Sequence, residues 1–163
     1  MKGENNLEIN EVLIGIGSNL NPEHNISEAL RLLASHVAIR NISSVYQSPA
    51  VGSNGPDYLN SAVLINTHTT FEILRKDILA TIEIQLKRVR SSDKYMDRTI
   101  DLDVIIYNQT VADPDLWTQA HVAVPASELL PDFENPISAE KLSQAAKRLL
   151  PGSNLRLRSD LSF

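Results

Sequence analysis

Two aspartates separated by a single leucine, Asp101-Leu102-Asp103, interrupt an otherwise apolar run from Thr99 to Tyr107. Aspartate is disfavoured in strands, so a strand carrying two of them needs a reason. Side chains alternate along a strand. Ile100, Leu102, Val104 and Ile106 therefore share one face, read as the core, and Asp101 and Asp103 share the other. Residues two apart lie about 6.6 Å apart along the chain, so their carboxylates can converge on a pair of hard cations about 3.5–4 Å apart. Magnesium suits such a place, because it takes one or two carboxylates and keeps room for phosphate oxygens and water. Without a cation the two charges repel and one pKa rises. A solvent-facing strand with two unremarkable aspartates is the competing reading.

Arg88, Arg90 and Arg98 bracket the polar loop that leads into this strand. A guanidinium donates two parallel charge-assisted hydrogen bonds, a geometry matched to phosphate oxygens. Metal-holding carboxylates beside several arginines equip a chain for phosphoryl transfer. The alternative is a basic helix end, since Lys87 and Arg88 also suit the negative pole of a helix dipole. There is no Walker-type phosphate loop, and Gly15-Ile-Gly17-Ser18-Asn19 lacks the third glycine of a dinucleotide fingerprint. Its expected job is to shape a loop.

The elements that must position these groups are legible from periodicity. Val12 to Ile16 reads as a buried strand broken by Gly15 and Gly17, and a helix follows from about His24 to Ser35. Val37 to Tyr46 is expected as one strand, Ser48 to Asp57 as a Pro- and Gly-rich loop, and Tyr58 to Thr67 as another strand. Thr69 or Thr70 can cap a helix from Phe71 to Arg88, with Glu72 in its first turn and Phe71, Leu74, Ile78 and Ile82 as the inner stripe. With the Asp strand the order is βαββαβ, the split pattern of ferredoxin-like α+β folds. A helix from Ser138 to Leu150 and a polar tail complete the chain, and residues 1–10 read as a loose leader.

The 163 residues fit one domain with a real core, and 42% hydrophobic and 21% charged content is ordinary for one. A net charge of −5 argues against broad nucleic-acid or anionic-membrane binding. The absence of cysteine excludes disulfides and Cys-ligated zinc. Met1 to Glu11 has no apolar segment of a secretory signal, and no apolar run nears the roughly 20 residues of a membrane helix. The expectation is a cytoplasmic protein, monomeric or weakly oligomeric, with small-molecule substrates.

Taken together, Gly17-Ser-Asn-Leu20, Tyr46-Gln-Ser-Pro-Ala-Val-Gly52, Pro56-Asp-Tyr-Leu-Asn60, Arg88-Val-Arg90 and Asp97-Arg-Thr-Ile-Asp-Leu-Asp103 resemble the 6-hydroxymethyl-7,8-dihydropterin pyrophosphokinase family of folate biosynthesis. The resemblance covers roughly Val12 to Tyr107, in the family's order and spacing. It implies a ferredoxin-like fold and transfer of pyrophosphate from ATP to a reduced pterin, with release of AMP. By that resemblance Asp101 and Asp103 hold two magnesium ions, and Arg88 and Arg98 grip the triphosphate with help from Arg90. Glu83 and Tyr95 match positions near the adenosine or its closing loop. Ser48, Pro49 and Val51 line the pterin pocket, Tyr58 stacks on the ring, Asn60 reads its edge, and Asp101 also faces the pterin.

The segment Asp113 to Pro125 departs from the family. It is short, lacks a Pro-His pair, and supplies no arginine between Arg98 and Arg148. His121 is available there to offer an imidazole to an ATP phosphate, and Trp117 to cover a ring; packing or surface roles are as open for both. Two other readings therefore stand beside the pyrophosphokinase: a diverged relative with another substrate, and a non-catalytic pterin-binding module.

Overall fold

The computed structural model describes residues 8–163. Most of the expected leader, residues 1–7, lies outside them, and Asn10 already belongs to a strand. Strand β1 (Asn10–Ser18) is followed by α1 (Pro22–Ala34), β2 (Ala38–Ile42), β3 (Tyr46–Ser48) and β4 (Tyr58–Thr67). Next come α2 (Phe71–Ile73), a π-helical segment (Leu74–Leu79), α3 (Ala80–Gln85) and β5 (Asp101–Tyr107). Strand β6 (Thr110–Val111), a 3-10 turn (Pro114–Trp117), α4 (Ala120–Leu129), α5 (Leu142–Leu149) and β7 (Arg156–Leu157) complete the order. The pairings are antiparallel, in the order β6-β5-β1-β4-β3-β7, with β2 also on β4. The central β5-β1-β4-β2 arrangement is ferredoxin-like, as expected.

Alternation along the central strands splits the core between the two faces of the sheet. Val12, Ile14, Val63, Ile65, Leu102 and Val104 pack with α1, the π segment and α3. Leu13, Ala62, Leu64, Ile105 and Ile106 pack on the opposite face with Ala123 and Ala126 of α4 and Leu142 of α5. The first layer was expected from sequence; the second was not.

Five expectations need correction. Gly15 and Gly17 do not open a loop but lie inside β1, paired to both β4 and β5. A Cβ at Gly15 would come within 2.9 Å of Ile105 Cδ1, so a larger residue there would have to push the end of that side chain aside. Ile106 does not share a face with Leu102, because the register slips between Leu13 and Ile14 and turns both Ile105 and Ile106 toward α4. The single strand over Val37 to Tyr46 is two: Ser43 Oγ accepts from Ala62 N at 2.8 Å and replaces a ladder partner. The helix after Thr70 ends before Arg88, where Lys87 turns to φ 60°. The last helix starts only at Leu142, because Asn135 Oδ1 takes the amides of Ile137 and Ser138 in a turn and Ala139 is left-handed at φ 58°.

Helix α4 has no side-chain cap and carries Pro125 inside it, so its sequence gives little helical signal. Tertiary contact holds it instead. Glu128 accepts from Ser44 N at 2.8 Å and from the Tyr46 hydroxyl, tying the helix to β3. Burial and the Glu128 carboxylate push the Tyr46 phenol upward, so it stays a donor. The expected polar tail also binds here, with β7 on β3 and Arg158 Nη1 on Gln47 at 2.9 Å. Tyr46→Phe should lower unfolding free energy by about 1 kcal/mol in urea titration. An unchanged midpoint would show that this tie does not hold α4.

Candidate active site

The face of β1 that carries Gly15 and Gly17 is bare, and a cavity of about 320 Å³ opens above it. Ser48, Pro49, Val51, Tyr58, Asn60 and Asp101, the residues assigned above to a pterin, all line this cavity. Tyr95, Arg98 and His121 line it too. Asn60 Nδ2 donates to Ser48 Oγ at 2.9 Å and to Tyr46 O at 3.3 Å, which fixes the amide and leaves Oδ1 toward the cavity. Burial raises the Tyr58 phenol, so it is a neutral ring wall.

A second cavity, about 400 Å³, lies at the edge of the sheet. It exists because β6 pairs only with Ile106 and Tyr107, leaving the Asp101–Val104 half of β5 uncovered on that side. Glu83, Arg88, Arg90 and Arg75 line it, with Phe71, Ala80 and Val104 as apolar wall. Asp103 and Asp113 line both cavities, so the two spaces meet at carboxylates.

One buried charge network sets the arginines. Glu83, 3% exposed, accepts from the free-edge amide of Leu102 at 3.0 Å and so stands in for a missing strand. The same carboxylate takes Arg88 Nη1 and, at 2.9 Å, Arg90 Nη2. Arg88 and Arg98 then hold the two oxygens of Asp101. Burial opposes the Arg88 charge, but Asp101 and Glu83 more than offset it and push its pKa up. Glu83, matched above to the adenosine, is thus spent on positioning arginines. Removing the Glu83 carboxylate, the most buried member of this set, costs about 3–5 kcal/mol.

Asp103 has no arginine of its own. Asp103 is exposed to the cavities, yet the protein crowded around it first, and then the charges of Asp101, Asp113 and Glu83, push its carboxyl up to about 6, with Arg88 opposing. This is the raised pKa that a carboxylate pair should show without a cation.

The two loops at the cavity mouth are fitted to each other. Gly52, at φ 74°, lies so close to Tyr95 that a Cβ would meet its ring at 2.5 Å. Asn19 Nδ2 donates to Asp97 Oδ1 at 2.7 Å and to Pro56 O at 3.2 Å, while its Oδ1 accepts from Arg98 N at 2.7 Å. Asn19 therefore joins both loops to the end of β1, a role that nothing in its spacing announces. Lys94, Asp113 and Asp115 are further lining residues that sequence reasoning missed. His121 is in the first cavity and not beside the arginines of the second. Burial lowers its pKa despite Asp115, Asp113 and Asp101 nearby. Trp117 lines neither of these two cavities: it stacks on Phe133, centroids 6.3 Å apart, in the α4 core.

Asp103 supplies a pH test. Its folded pKa exceeds the ordinary 3.8, so between that value and about 6 the folded state binds more protons than the unfolded one. Stability then falls as pH rises through this window, and the cost is complete above it. Asp103→Asn should stabilise the metal-free protein by about 1 kcal/mol near pH 8, after allowance for solvent screening, and by less near pH 4. Equal effects at both pH values would show that Asp103 is unperturbed.

The model of the 7,8-dihydro-6-hydroxymethylpterin-pyrophosphokinase (HPPK) family matches residues 13–131. The chain is 30% identical over 148 residues to the 2-amino-4-hydroxy-6-hydroxymethyldihydropteridine pyrophosphokinase of Synechocystis sp., covering 84% of this chain and 75% of that one. It is 31% identical over 137 residues to the protein of that name from Haemophilus influenzae, covering 77% and 84% respectively. A Plasmodium falciparum HPPK-DHPS crystal structure shares the fold at TM-score 0.71 and 10% identity, over 88% of this chain. The chain spans 44% of that longer protein. Among the described residues no helix is long and apolar enough to cross a membrane. By the family match and these identities, the chain belongs to the 6-hydroxymethyl-7,8-dihydropterin pyrophosphokinase family, whose members are ATP-dependent diphosphotransferases.

Proposed function

We propose that the protein transfers the pyrophosphoryl group of ATP to 6-hydroxymethyl-7,8-dihydropterin and releases AMP, a step of folate biosynthesis. The observation that carries this reading is the meeting of the two cavities at Asp103, with the arginine network on one side and the Tyr58–Asn60 wall on the other. The pterin occupies the first cavity, its flat ring against Tyr58 and its polar edge read by Asn60 and Ser48. The nucleotide occupies the second, with its polyphosphate directed toward Asp103.

In the reaction the hydroxymethyl oxygen bonds to the β-phosphorus. The bond from that phosphorus to the bridging oxygen of the α-phosphate breaks, its electrons leave with AMP, and the hydroxyl proton is released. Orientation across the junction supplies much of the acceleration, because little covalent chemistry is asked of the protein. Arg88 and Arg98, already held by Asp101, are preorganised cations for the charge on the transferred group. Gly52 and Tyr95 bring the mouth loops together, which favours exclusion of water that would otherwise hydrolyse ATP.

Two magnesium ions belong to this reading. Among the described residues no group of three or more metal-binding side chains exists, so the protein offers a carboxylate pair and not a cage. That donor set, with Asp103 unpaired and raised, fits a hard cation that arrives with phosphate oxygens. Held by Asp101 and Asp103, magnesium would neutralise phosphate charge. A cytoplasmic, monomeric or weakly oligomeric protein without nucleic-acid or membrane partners completes the proposal.

Purified protein with ATP, magnesium and hydroxymethyldihydropterin should form AMP only when the pterin is present. Asp101→Ala and Asp103→Ala should each lower turnover by roughly a thousandfold or more while the domain stays folded by circular dichroism. Pterin binding without AMP would favour a binding module instead, and a near-normal rate in either variant would contradict the carboxylate assignment.

A further inference from the structure

The helical stretch that begins after Thr70 contains a wide turn. Through Leu74–Leu79 the backbone is π-helical, and the Ala80 amide donates to the carbonyl of Arg75, five residues back. Such turns are uncommon and concentrate at functional sites. Their geometric consequence is that residues five apart come into line, where an α-helix aligns those three or four apart. Arg75 is thereby set in line with Ala80, and both face the second cavity beside Glu83, Arg88 and Arg90.

Glu72 feels the charge of Arg75 but makes its ion pair with another residue, Lys76, at 2.7 Å. Arg88 and Arg90 are engaged by Glu83, and Arg98 by Asp101. Arg75 takes no ion-pair partner among the described residues. The carboxylates Glu83, Asp103 and Asp113 offset the three arginines of this cavity, so an incoming polyanion needs a cation that is free to turn toward it. The segment from Asp113 to Pro125 offers none.

We propose that Arg75 is a nucleotide-binding residue, presented by the π turn, whose guanidinium grips the polyphosphate of ATP in the second cavity. This inference rests on the reading of ATP as the pyrophosphoryl donor. A planar fork suits two phosphate oxygens at once, so lysine is an incomplete substitute.

The test is calorimetric titration with the magnesium complex of α,β-methylene ATP, which lacks the oxygen bridge that must break. Arg75→Ala should raise its Kd about tenfold, with Arg75→Lys in between, while adenosine and the pterin bind as before. Lys147→Ala, an equal change of charge on α5 outside the cavity, should leave the analogue's Kd unchanged. Unaltered analogue binding in Arg75→Ala overturns the inference, as does an equal loss for adenosine or an equal loss in Lys147→Ala. Wild-type protein that binds no analogue at all overturns the functional reading and this residue's role with it.

Discussion

The buried carboxylate of Glu83 does what a neighbouring strand would otherwise do, accepting the free amide of Leu102 at the open edge of β5. That single substitution of side chain for backbone leaves the edge open for a cavity and anchors Arg88 and Arg90 beside it. From Arg88 the chain of opposite charges passes to Asp101 and on to Arg98. Each member is held by the next, so the cations are in place before any ligand arrives. Preorganisation of this kind is what charge stabilisation in a transition state requires.

The same network separates the roles of two aspartates that look equivalent in the chain. Both oxygens of Asp101 are matched to guanidinium groups, whereas Asp103 is left among carboxylates at the junction of two cavities. A raised carboxyl in that position marks an unmet demand for positive charge. The loops above are arranged to match: Asn19 fixes the backbone that carries Arg98 and the loop that leads to Tyr58 and Asn60. Position, charge and access therefore converge on one point between the spaces.

Much of this was legible in the sequence. The four core strands and two helices follow from apolar periodicity, and the facing pair of aspartates from simple alternation. The residues matched by resemblance to a pterin site do share one cavity. What escaped reading was set by long-range contact. Helix α4 has neither cap nor clean pattern and exists because Ala123 and Ala126 bury against the sheet. The glycines of β1 look like a loop signal, yet they serve as a floor under the cavity, with Ile105 of β5 against Gly15 and Tyr58 and Asn60 of β4 beside Gly17. The arginine that the shortened segment lacks has a counterpart in a π turn, which no periodicity reveals.

The central claim is that Asp103 waits for cations brought with a polyphosphate. Carbon-13 titration of its side-chain carboxyl by NMR, with and without magnesium and α,β-methylene ATP, tests this directly. In the free protein the carboxyl should titrate at about 6. With both ligands bound it should remain ionised down to a pH at least about two units lower. A carboxyl that titrates at an ordinary value when free, or that keeps its raised value in the complex, would contradict the account.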